Sequence, residues 1–241
     1  MSDTQDQKIS IVTGGSRGIG RGIAEALLAE GWRVHLCSRS QTSVDGALGE
    51  LRERFGDRVQ GEAVDVRNQE EVEGFVQGVL SAEGRIDCLV NNAGLGRFGP
   101  VHELTGDQWR EVLQTNLDGA FYFLRAVAPA MKERGQGWIL NIASLAAKNP
   151  FAGGAAYNAS KFGLLGLSEA AMLDLRPFGI RVAAILPGSV NTEFGMRSDT
   201  DNSWKLQPED IASMVLHLLS YPDNALPSLV EMRPAKPPKQ G

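Results

Sequence analysis

The chain has 241 residues, of which 42% are hydrophobic and 22% charged, and its formal net charge is −5. This length suits one large α/β domain or two small ones, and the apolar fraction supports a sizeable core and excludes wholesale disorder. The lack of a basic block argues against a nucleic-acid partner. No apolar stretch approaches the roughly 20 residues that a membrane span needs.

The first residues, MSDTQDQK, are polar and lead straight into a strand-like run, so they do not resemble a signal peptide. The two cysteines, Cys37 and Cys88, each lie inside an apolar run. Such positions favour buried free thiols over a disulfide or a metal site. We therefore expect a soluble, cytoplasmic protein without a metal centre.

Strand-like and helix-like segments alternate along the chain, without a linker or an internal repeat. In chain order we predict strand 8–15, helix 17–31, strand 32–40, helix 41–55, strand 59–66, helix 68–84, strand 86–94, helix 107–135, strand 138–147, helix 155–178, strand 180–188, helix 208–220 and strand 227–234. Several of these strands are continuous apolar runs, which is typical of strands buried on both faces of a parallel sheet. The pattern therefore predicts a single, doubly wound α/β domain.

The segment TGGSRGIG follows the first strand and opens the first helix. Gly14, Gly18 and Gly20 leave the backbone bare where it must turn sharply, and a helix N-terminus suits a pyrophosphate. The spacing departs from the G-x-G-x-x-G dinucleotide fingerprint, and a tight turn without a ligand is the alternative interpretation.

The end of the second strand indicates which coenzyme is preferred. A carboxylate there binds the ribose hydroxyl of NAD, whereas an arginine accommodates the 2′-phosphate of NADP. This chain has Ser38 and Arg39 at that position, with Arg17 in the glycine loop. Two guanidinium groups favour NADP(H) over NAD(H), although both arginines could also be ordinary solvated residues.

The long helix predicted over 107–135 contains an unusual asparagine. Asp107 can cap its start, and a bend is expected near Asp118-Gly119 or Pro129. Asn116 lies mid-helix, where an asparagine gains nothing from helix propensity. It is expected to satisfy a backbone carbonyl at a bend or to hold a water molecule.

The segment AAYNASKFG places a phenol and an ammonium group four residues apart on one helix face, at Tyr157 and Lys161. An adjacent ammonium lowers the pKa of a phenol when both face a partly desolvated cleft. Ser144 ends the fifth strand, at the sheet edge where ligands bind in such folds. A hydroxyl there could donate to a carbonyl oxygen while Tyr157 exchanges a proton.

These motifs together resemble those of the short-chain dehydrogenase/reductase family, and the likeness covers about residues 8–233. The matching elements are the TGGSRGIG loop, the NNAG segment at 91–94, Asn116, Ser144, the Y-x-x-x-K motif at 157–161 and the Pro-Gly pair at 187–188. The resemblance implies a Rossmann-like sheet and an enzyme that transfers a hydride between NADP(H) and a carbonyl or secondary alcohol substrate.

The resemblance also implies roles for individual residues. Tyr157 is the general acid of reduction, Lys161 lowers its pKa and holds the nicotinamide ribose, Ser144 polarises the carbonyl, and Asn116 positions a water molecule. Asp65 meets the adenine or caps the following turn. Residues 91–94 line the adenosine side of the coenzyme and steady the sheet, although Asn91 could be purely structural. Thr192 touches the carboxamide or is an ordinary loop residue. The full set of coenzyme-binding residues is Gly14, Ser16, Arg17, Gly18, Ile19, Gly20, Ser38, Arg39, Asp65, Val66, Asn92, Ala93, Gly94, Tyr157, Lys161, Pro187, Gly188, Val190 and Thr192.

The segment 189–207 is expected to form the substrate loop. Its Phe194, Met196 and Trp204 could wall an apolar pocket or could anchor the loop on the core. The chain ends in a proline-rich tail at 234–241 in place of the glycine-rich strand usual in 3-oxoacyl reductases of this family. That departure favours members that reduce small carbonyl compounds or oxidise hydroxy acids, and a small ketone or aldehyde is the substrate that we predict.

Two other functions remain open at this point, namely a 3-oxoacyl thioester reductase and a catalytically silent dinucleotide sensor or scaffold. The resemblance further implies a homo-oligomer, a dimer or a tetramer. The apolar segments FYFLRAVAPAM and FGLLGLSEAAML agree with this expectation, but a buried face within one chain looks the same in the sequence.

Overall fold

The computed structural model describes residues 7–192, Phe194 and residues 202–236. Its strands are β1 (Ile9–Thr13), β2 (Arg33–Ser38), β3 (Val59–Ala63), β4 (Cys88–Asn91), β5 (Gly137–Ile142), β6 (Ile180–Pro187) and β7 (Leu229–Met232). Its α-helices are α1 (Gly18–Ala29), α2 (Gln41–Phe55), α3 (Gln69–Glu83), α4 (Gly106–Leu113), α5 (Gly119–Arg134), α6 (Ala155–Leu175) and α7 (Pro208–Leu219).

The seven strands form one parallel sheet in the order β3-β2-β1-β4-β5-β6-β7. This confirms the predicted doubly wound, Rossmann-like fold. The strand order runs outward in one direction from β1 to β3 and in the other from β4 to β7. A crevice therefore opens beyond the carboxyl ends of β1 and β4, the place where ligands bind in folds of this type.

Helices pack on both faces of the sheet, and successive side chains of each strand point to opposite faces, so both sets of side chains are buried. On one face Val12 of β1 packs with Leu27 of α1 and Val215 of α7. On the other face the neighbouring Ile11 belongs to the cluster that contains Phe123 of α5. This double burial explains why the strands read as continuous apolar runs. The predicted buried thiols are also confirmed, since Cys37 and Cys88 are free and fully buried.

The predicted continuous helix over 107–135 is wrong in two respects. It begins at Gly106, because the Thr105 side chain accepts a hydrogen bond from Gln108 N in a capping box, so Asp107 is not the cap. A π-helical turn over Gln114–Asp118 then separates α4 from α5. The π turn ends at Asp118, the position where a bend was expected, while Pro129 lies inside α5.

Two other boundaries differ from the sequence prediction. Strand β5 stops at Ile142, and a short 3₁₀ helix over Leu145–Ala147 follows it. The helix expected to reach 178 ends at Leu175 and continues as a 3₁₀ turn over Arg176–Phe178. Within the described ranges no helix is both long enough and apolar enough to cross a membrane, and no cluster of metal-ligating side chains occurs.

Candidate active site

A cleft of about 690 Å³ lies at the carboxyl edge of the sheet. It is lined by turns and loops that follow β1 to β6, so it occupies the crevice expected from the strand order. Nearly all of the residues predicted to bind a coenzyme lie in its wall. These are Gly14, Ser16, Arg17, Gly18, Ile19, Ser38, Arg39, Asp65, Val66, Asn92, Ala93, Gly94, Tyr157, Lys161, Pro187, Gly188, Val190 and Thr192.

Gly20 is the exception among the predicted coenzyme residues, because it is not part of the cleft wall. A Cβ atom at Gly20 would collide with the carbonyl oxygen of Gly14 and with Nδ2 of Asn92. Gly20 is therefore required for close packing of α1 beneath the loop. Gly14 and Gly18 do line the cleft and adopt positive φ angles of 64° and 55°, which favour glycine.

The N-terminus of α1 differs from those of the next three helices in its capping. Ser40, Asn68 and Thr105 accept backbone hydrogen bonds at the starts of α2, α3 and α4. At α1 the N-cap residue Arg17 makes no side-chain cap bond, and the first turn contains no acidic residue. The N-cap side chain therefore does not cover the positive end of this helix dipole, where Arg17, Gly18 and Ile19 line the cleft, and this arrangement suits a pyrophosphate.

The β2 end of the cleft, defined by Ser38, Arg39, Asp65 and Arg67, carries three of the six charged residues that line it. The Ser38 Oγ atom is buried and has no hydrogen-bond partner among the described residues. The Arg39 guanidinium lies 3.8 Å from a carboxylate oxygen of Glu111. An unpartnered hydroxyl beside a guanidinium group fits a ligand rich in hydrogen-bond acceptors.

The carboxylate of Asp65 is hydrogen-bonded within the turn that Asp65 begins. It accepts hydrogen bonds from the backbone N of Arg67 at 3.0 Å and from Arg67 Nε at 2.9 Å. The hydrogen bonds from Arg67 hold the pKa of Asp65 below its ordinary value. Asp65 thus caps the turn and also lines the cleft. Its contact with adenine stays a prediction.

The NNAG segment fastens the glycine loop to β4. Thr13 Oγ1 accepts hydrogen bonds from Asn92 N and Ala93 N, each at 3.0 Å, and Asn92 Nδ2 donates to Thr13 O at 2.9 Å. Asn91 is buried and donates from Nδ2 to Asn141 Oδ1 at 2.9 Å, below the cleft. It joins β4 to β5, as the sheet-steadying interpretation requires.

Ser144, Tyr157 and Lys161 all line the same cleft. Ser144 follows β5, and the other two side chains rise from the first two turns of α6. Lys161 is 5% exposed, and its Nζ atom donates to the carbonyl oxygen of Ile142 at 2.9 Å. The same Nζ lies 5.8 Å from the centroid of the Tyr157 ring. The helical spacing brings Tyr157 and Lys161 together, and the segment after β5 adds Ser144 to the same cleft.

The ionisation behaviour of this trio differs in part from expectation. Burial raises the pKa of the Tyr157 phenol, and its interaction with the Ser144 hydroxyl works in the opposite direction. In the protein alone, the lowering of the Tyr157 pKa that was expected from the neighbouring ammonium is therefore not found, and Ser144 is the group that works against burial. Burial also lowers the pKa of Lys161 to about 8, because the charged form has lost its solvation.

Asn116 lies in the π turn and does not line the cleft. Its Nδ2 atom donates to Leu95 O and to Ser160 Oγ, each at 2.9 Å, and its Oδ1 atom accepts from Leu95 N at 2.8 Å. Ser160 Oγ in turn donates to the carbonyl oxygen of Tyr157 at 2.8 Å. Asn116 therefore braces the loop after β4 against the turn of α6 that carries Tyr157. Its contact with a water molecule stays a prediction.

Three phenylalanine rings surround the Tyr157 ring, and we name these four rings the aromatic wall. The ring centroids of Phe98, Phe151 and Phe194 lie 5.7, 6.4 and 5.6 Å from that of Tyr157. Sequence reasoning identified Phe194 and missed Phe98 and Phe151. A usable signal was present, because each occurs beside glycines in a segment after a strand, GRFG and PFAGG.

The other two predicted pocket residues of the substrate loop have different outcomes. Trp204 is half-buried and does not line the cleft, while its neighbour Lys205 does. Met196 lies outside the described residues. Thr192 stands opposite the glycine loop, since a Cβ atom at Gly18 would lie 3.4 Å from Thr192 Cγ2. The Gly188 N–H donates to Met232 O at 2.8 Å, which ties the predicted Pro-Gly turn to β7.

Comparison with known proteins decides the family. A family model described as short chain dehydrogenase matches residues 8–203. The chain belongs to the short-chain dehydrogenase family. The motifs of this short-chain dehydrogenase, from the glycine loop to the Tyr157–Lys161 pair, lie within the matched region, and the protein is accordingly an oxidoreductase.

Individual relatives cover almost the whole short-chain dehydrogenase chain. A Streptomyces coelicolor protein, provisionally named a ketoacyl reductase, is 37% identical over 239 residues, which span 90% of this chain and 91% of the relative. The structure of an alcohol dehydrogenase from the archaeon Thermococcus sibiricus, complexed with 5-hydroxy-NADP, matches with a TM-score of 0.89 and 30% identity, covering 98% of this chain and 100% of that one. A structure of a variant actinorhodin polyketide ketoreductase with NADPH matches with a TM-score of 0.89 and 34% identity, covering 97% and 98%.

Proposed function

We propose that the protein is an NADP(H)-dependent reductase of ketones or aldehydes, acting reversibly on the corresponding alcohol. The observation that carries this proposal is the meeting of Ser144, Tyr157 and Lys161 in one cleft at the carboxyl edge of the sheet. The coenzyme supplies the hydride, which goes to the carbonyl carbon. The protein supplies the proton and the groups that orient the carbonyl.

Tyr157 is the proton donor in this proposal. Its raised pKa keeps the phenol protonated near neutral pH, so that it can transfer the proton to the carbonyl oxygen as the hydride arrives. Ser144 donates a second hydrogen bond to the same oxygen and favours the developing negative charge. In the reverse direction the phenolate accepts the proton from the alcohol.

Lys161 stabilises the phenolate that proton transfer leaves behind. Its ammonium group is buried, and its bond to Ile142 O holds it at the cleft. A positive charge in a region of low dielectric acts strongly on a nearby negative charge. Lys161 therefore acts mainly after proton transfer has begun. Asn116, through Ser160, positions the helical turn from which Tyr157 projects.

The choice of NADP(H) rests on the β2 end of the cleft. Arg39 lines this end, Arg17 lines the cleft from the glycine loop, and no acidic residue ends β2. Ser38 Oγ is buried without a partner and can donate to a phosphate or ribose oxygen. The solved relatives described above bind 5-hydroxy-NADP and NADPH, which supports the same preference. NAD(H) is the alternative coenzyme.

A second candidate is reduction of a 3-oxoacyl thioester. The names of the Streptomyces coelicolor relative and of the actinorhodin ketoreductase favour it. A silent dinucleotide sensor is a third candidate, but such a protein does not need the complete Ser144, Tyr157 and Lys161 set.

Purified protein, NADPH and a panel of carbonyl compounds separate these functions when NADPH absorbance is followed. We expect turnover of small dicarbonyls and simple ketones, with little turnover of an acetoacetyl thioester. Preferred turnover of the thioester would support the second function. NADPH binding without turnover of any carbonyl compound would support the sensor.

We also propose that the protein is a cytoplasmic homo-oligomer, a dimer or tetramer. Partly exposed apolar rings on the helices support self-association, namely Trp109 on α4, Phe121 on α5 and Phe162 on α6. Light scattering after size-exclusion chromatography tests this proposal, and a mass of one chain would contradict it.

A further inference from the structure

The aromatic wall is built from separate parts of the chain. Phe98 follows β4, Phe151 follows β5, Phe194 follows β6, and Tyr157 belongs to α6. Besides their contacts with Tyr157, Phe98 lies 6.0 Å from Phe151 and 6.5 Å from Phe194 between ring centroids. Phe98, Phe151 and Phe194 are 40%, 47% and 46% exposed, although they are large and apolar. Partly exposed rings grouped around a reactive hydroxyl are typical of a binding surface for an apolar ligand.

Two of these rings are held in place by glycine backbone. A Cβ atom at Gly96 would collide with the ring of Phe98, and a Cβ atom at Gly154 would lie 2.6 Å from the ring of Phe151. Each ring thus rests on a residue without a side chain. Ordering of these rings is completed by the fold, so that binding a ligand against them costs little further entropy.

The two loops that carry Phe98 and Phe151 are also joined to each other. Gly99 N donates to Gly153 O at 2.8 Å, and Gly153 has a φ of 76° that favours glycine. This backbone bond joins the two loops beside the rings, whose centroids lie 6.0 Å apart. Both rings contact the Tyr157 ring, and of the three phenylalanines Phe194 lines the cleft itself whereas the other two adjoin it through Tyr157.

The rings meet in edge-to-face and tilted contacts, and an aromatic ligand can make further contacts of the same kind. The Phe98 ring meets those of Tyr157 and Phe194 edge to face, at interplanar angles of 65° and 77°, and the Tyr157–Phe194 pair is tilted at 49°. Aromatic rings prefer such edge and offset contacts, which contribute beyond the burial of area alone. Saturated chains gain only the burial.

We infer that the substrate class is an aromatic ketone or aldehyde, whose ring packs against the aromatic wall while its carbonyl oxygen meets Ser144 and Tyr157. This inference rests on the proposed reductase function and deepens it. It predicts that the wall discriminates by the aromatic character of the substrate and not by its size or its apolar area.

The test uses three methyl ketones with equal numbers of carbon atoms, namely acetophenone, cyclohexyl methyl ketone and hexyl methyl ketone. Each is reduced with NADPH by the wild type and by Phe98→Leu and Phe151→Leu. We expect both substitutions to lower kcat/KM for acetophenone about threefold to tenfold more than for the two saturated ketones. Comparing each ketone with itself across variants removes differences in intrinsic reactivity.

Phe178→Leu is the matched control, because Phe178 is 44% exposed and precedes β6, at the opposite edge of the sheet. It should leave all three ratios unchanged. NADPH binding, followed by fluorescence, verifies that each variant is folded, and Phe151→Leu keeps the test decisive if Phe98→Leu is unstable.

The outcomes separate the inference from the proposed function. Equal losses for acetophenone and the saturated ketones, or wild-type reduction of the saturated ketones alone, would overturn the aromatic class and leave the reductase intact. If the wild type reduced none of these ketones and none of the small dicarbonyls, the proposed reductase function would be overturned, and the aromatic substrate class with it.

Discussion

The two ends of the cleft are made of different chemistry. The β2 end carries Arg39, Asp65 and Arg67, which lie in short turns directly after β2 and β3. The Tyr157 end carries phenylalanine rings from loops that lie far apart in the chain and pack on one another. Charges in turns next to strands follow from local sequence, whereas the rings meet only because the fold brings their loops together.

The contrast extends to how each end is prepared for a ligand. At the β2 end the structure leaves polar groups open, namely the buried Ser38 hydroxyl and the α1 N-terminus without a side-chain cap. At the Tyr157 end it fixes apolar groups in place on glycine backbone. The first arrangement suits a charged, phosphorylated molecule, and the second suits an apolar one.

The largest expected effect comes from the Tyr157 end. Tyr157→Phe removes the proton donor and should lower kcat about 100-fold to 10,000-fold. NADPH binding should persist, because the β2 end is untouched. Steady-state kinetics and NADPH fluorescence measure the two quantities. Tyr221→Phe, which alters a ring beside His217 on the far helix α7, is the control. Turnover near the wild-type rate in Tyr157→Phe would refute the assigned acid.

Lys161→Met should inactivate the enzyme yet stabilise the fold. Burial lowers the pKa of Lys161 to about 8 when folded, below about 10.4 for an unfolded lysine. Between these values the unfolded chain binds a proton that the folded chain releases, so the free energy of unfolding rises with pH. Near neutral pH the buried charge therefore costs stability, and its removal should raise the free energy of unfolding by about 1–3 kcal/mol.

Urea denaturation near neutral pH and above about pH 10 tests this expectation, since the gain from Lys161→Met should shrink at the higher pH. The exposed Lys132 provides the matched Lys132→Met control. A variant less stable than the wild type at both pH values would show that the bond to Ile142 O outweighs the cost of burial.

At the β2 end, Arg39→Asp should lower kcat/KM for NADPH about tenfold to a hundredfold and raise it for NADH. The reason is that a carboxylate repels a 2′-phosphate and accepts a bond from a ribose hydroxyl. Coenzyme kinetics at a saturating carbonyl concentration measure the shift. Arg125→Asp, on the outer surface of α5, should leave both values unchanged. An unaltered NADPH/NADH ratio in Arg39→Asp would remove the phosphate argument.

The smallest effect is expected for Ser38→Ala. Since Ser38 Oγ has no partner among the described residues, its loss should not reduce the stability of the protein alone. NADPH affinity should fall about twofold to tenfold, the contribution of one hydrogen bond. Ser40→Ala should lower the stability by about 1 kcal/mol, because Ser40 caps α2, and should leave the NADPH affinity unchanged. Thermal unfolding and NADPH titration measure the two quantities for both variants. If Ser38→Ala bound NADPH as tightly as the wild type, the proposed contact of Ser38 with the coenzyme would be contradicted.

Sequence reasoning succeeded where a residue type and a short spacing carry the physics. The Tyr157–Lys161 spacing on a helix and the glycine loop after β1 needed no knowledge of distant residues. Sequence reasoning missed the cap at Thr105, because several polar residues compete to cap one helix start, and it also missed the π turn. A π turn, moreover, is stabilised by contacts such as those of Asn116 with Leu95 and Ser160, which are remote in the chain.

The sequence alone determined the alternating fold and the family. It also predicted the reacting groups, because periodic burial and i, i+4 geometry are local properties of the chain. Only the tertiary structure decided that burial raises the pKa of Tyr157, and that Gly20 serves packing. It likewise decided that Phe98 and Phe151 join Phe194 around the phenol. These features depend on desolvation and on contacts between separate loops, and both arise only when the sheet edge is assembled.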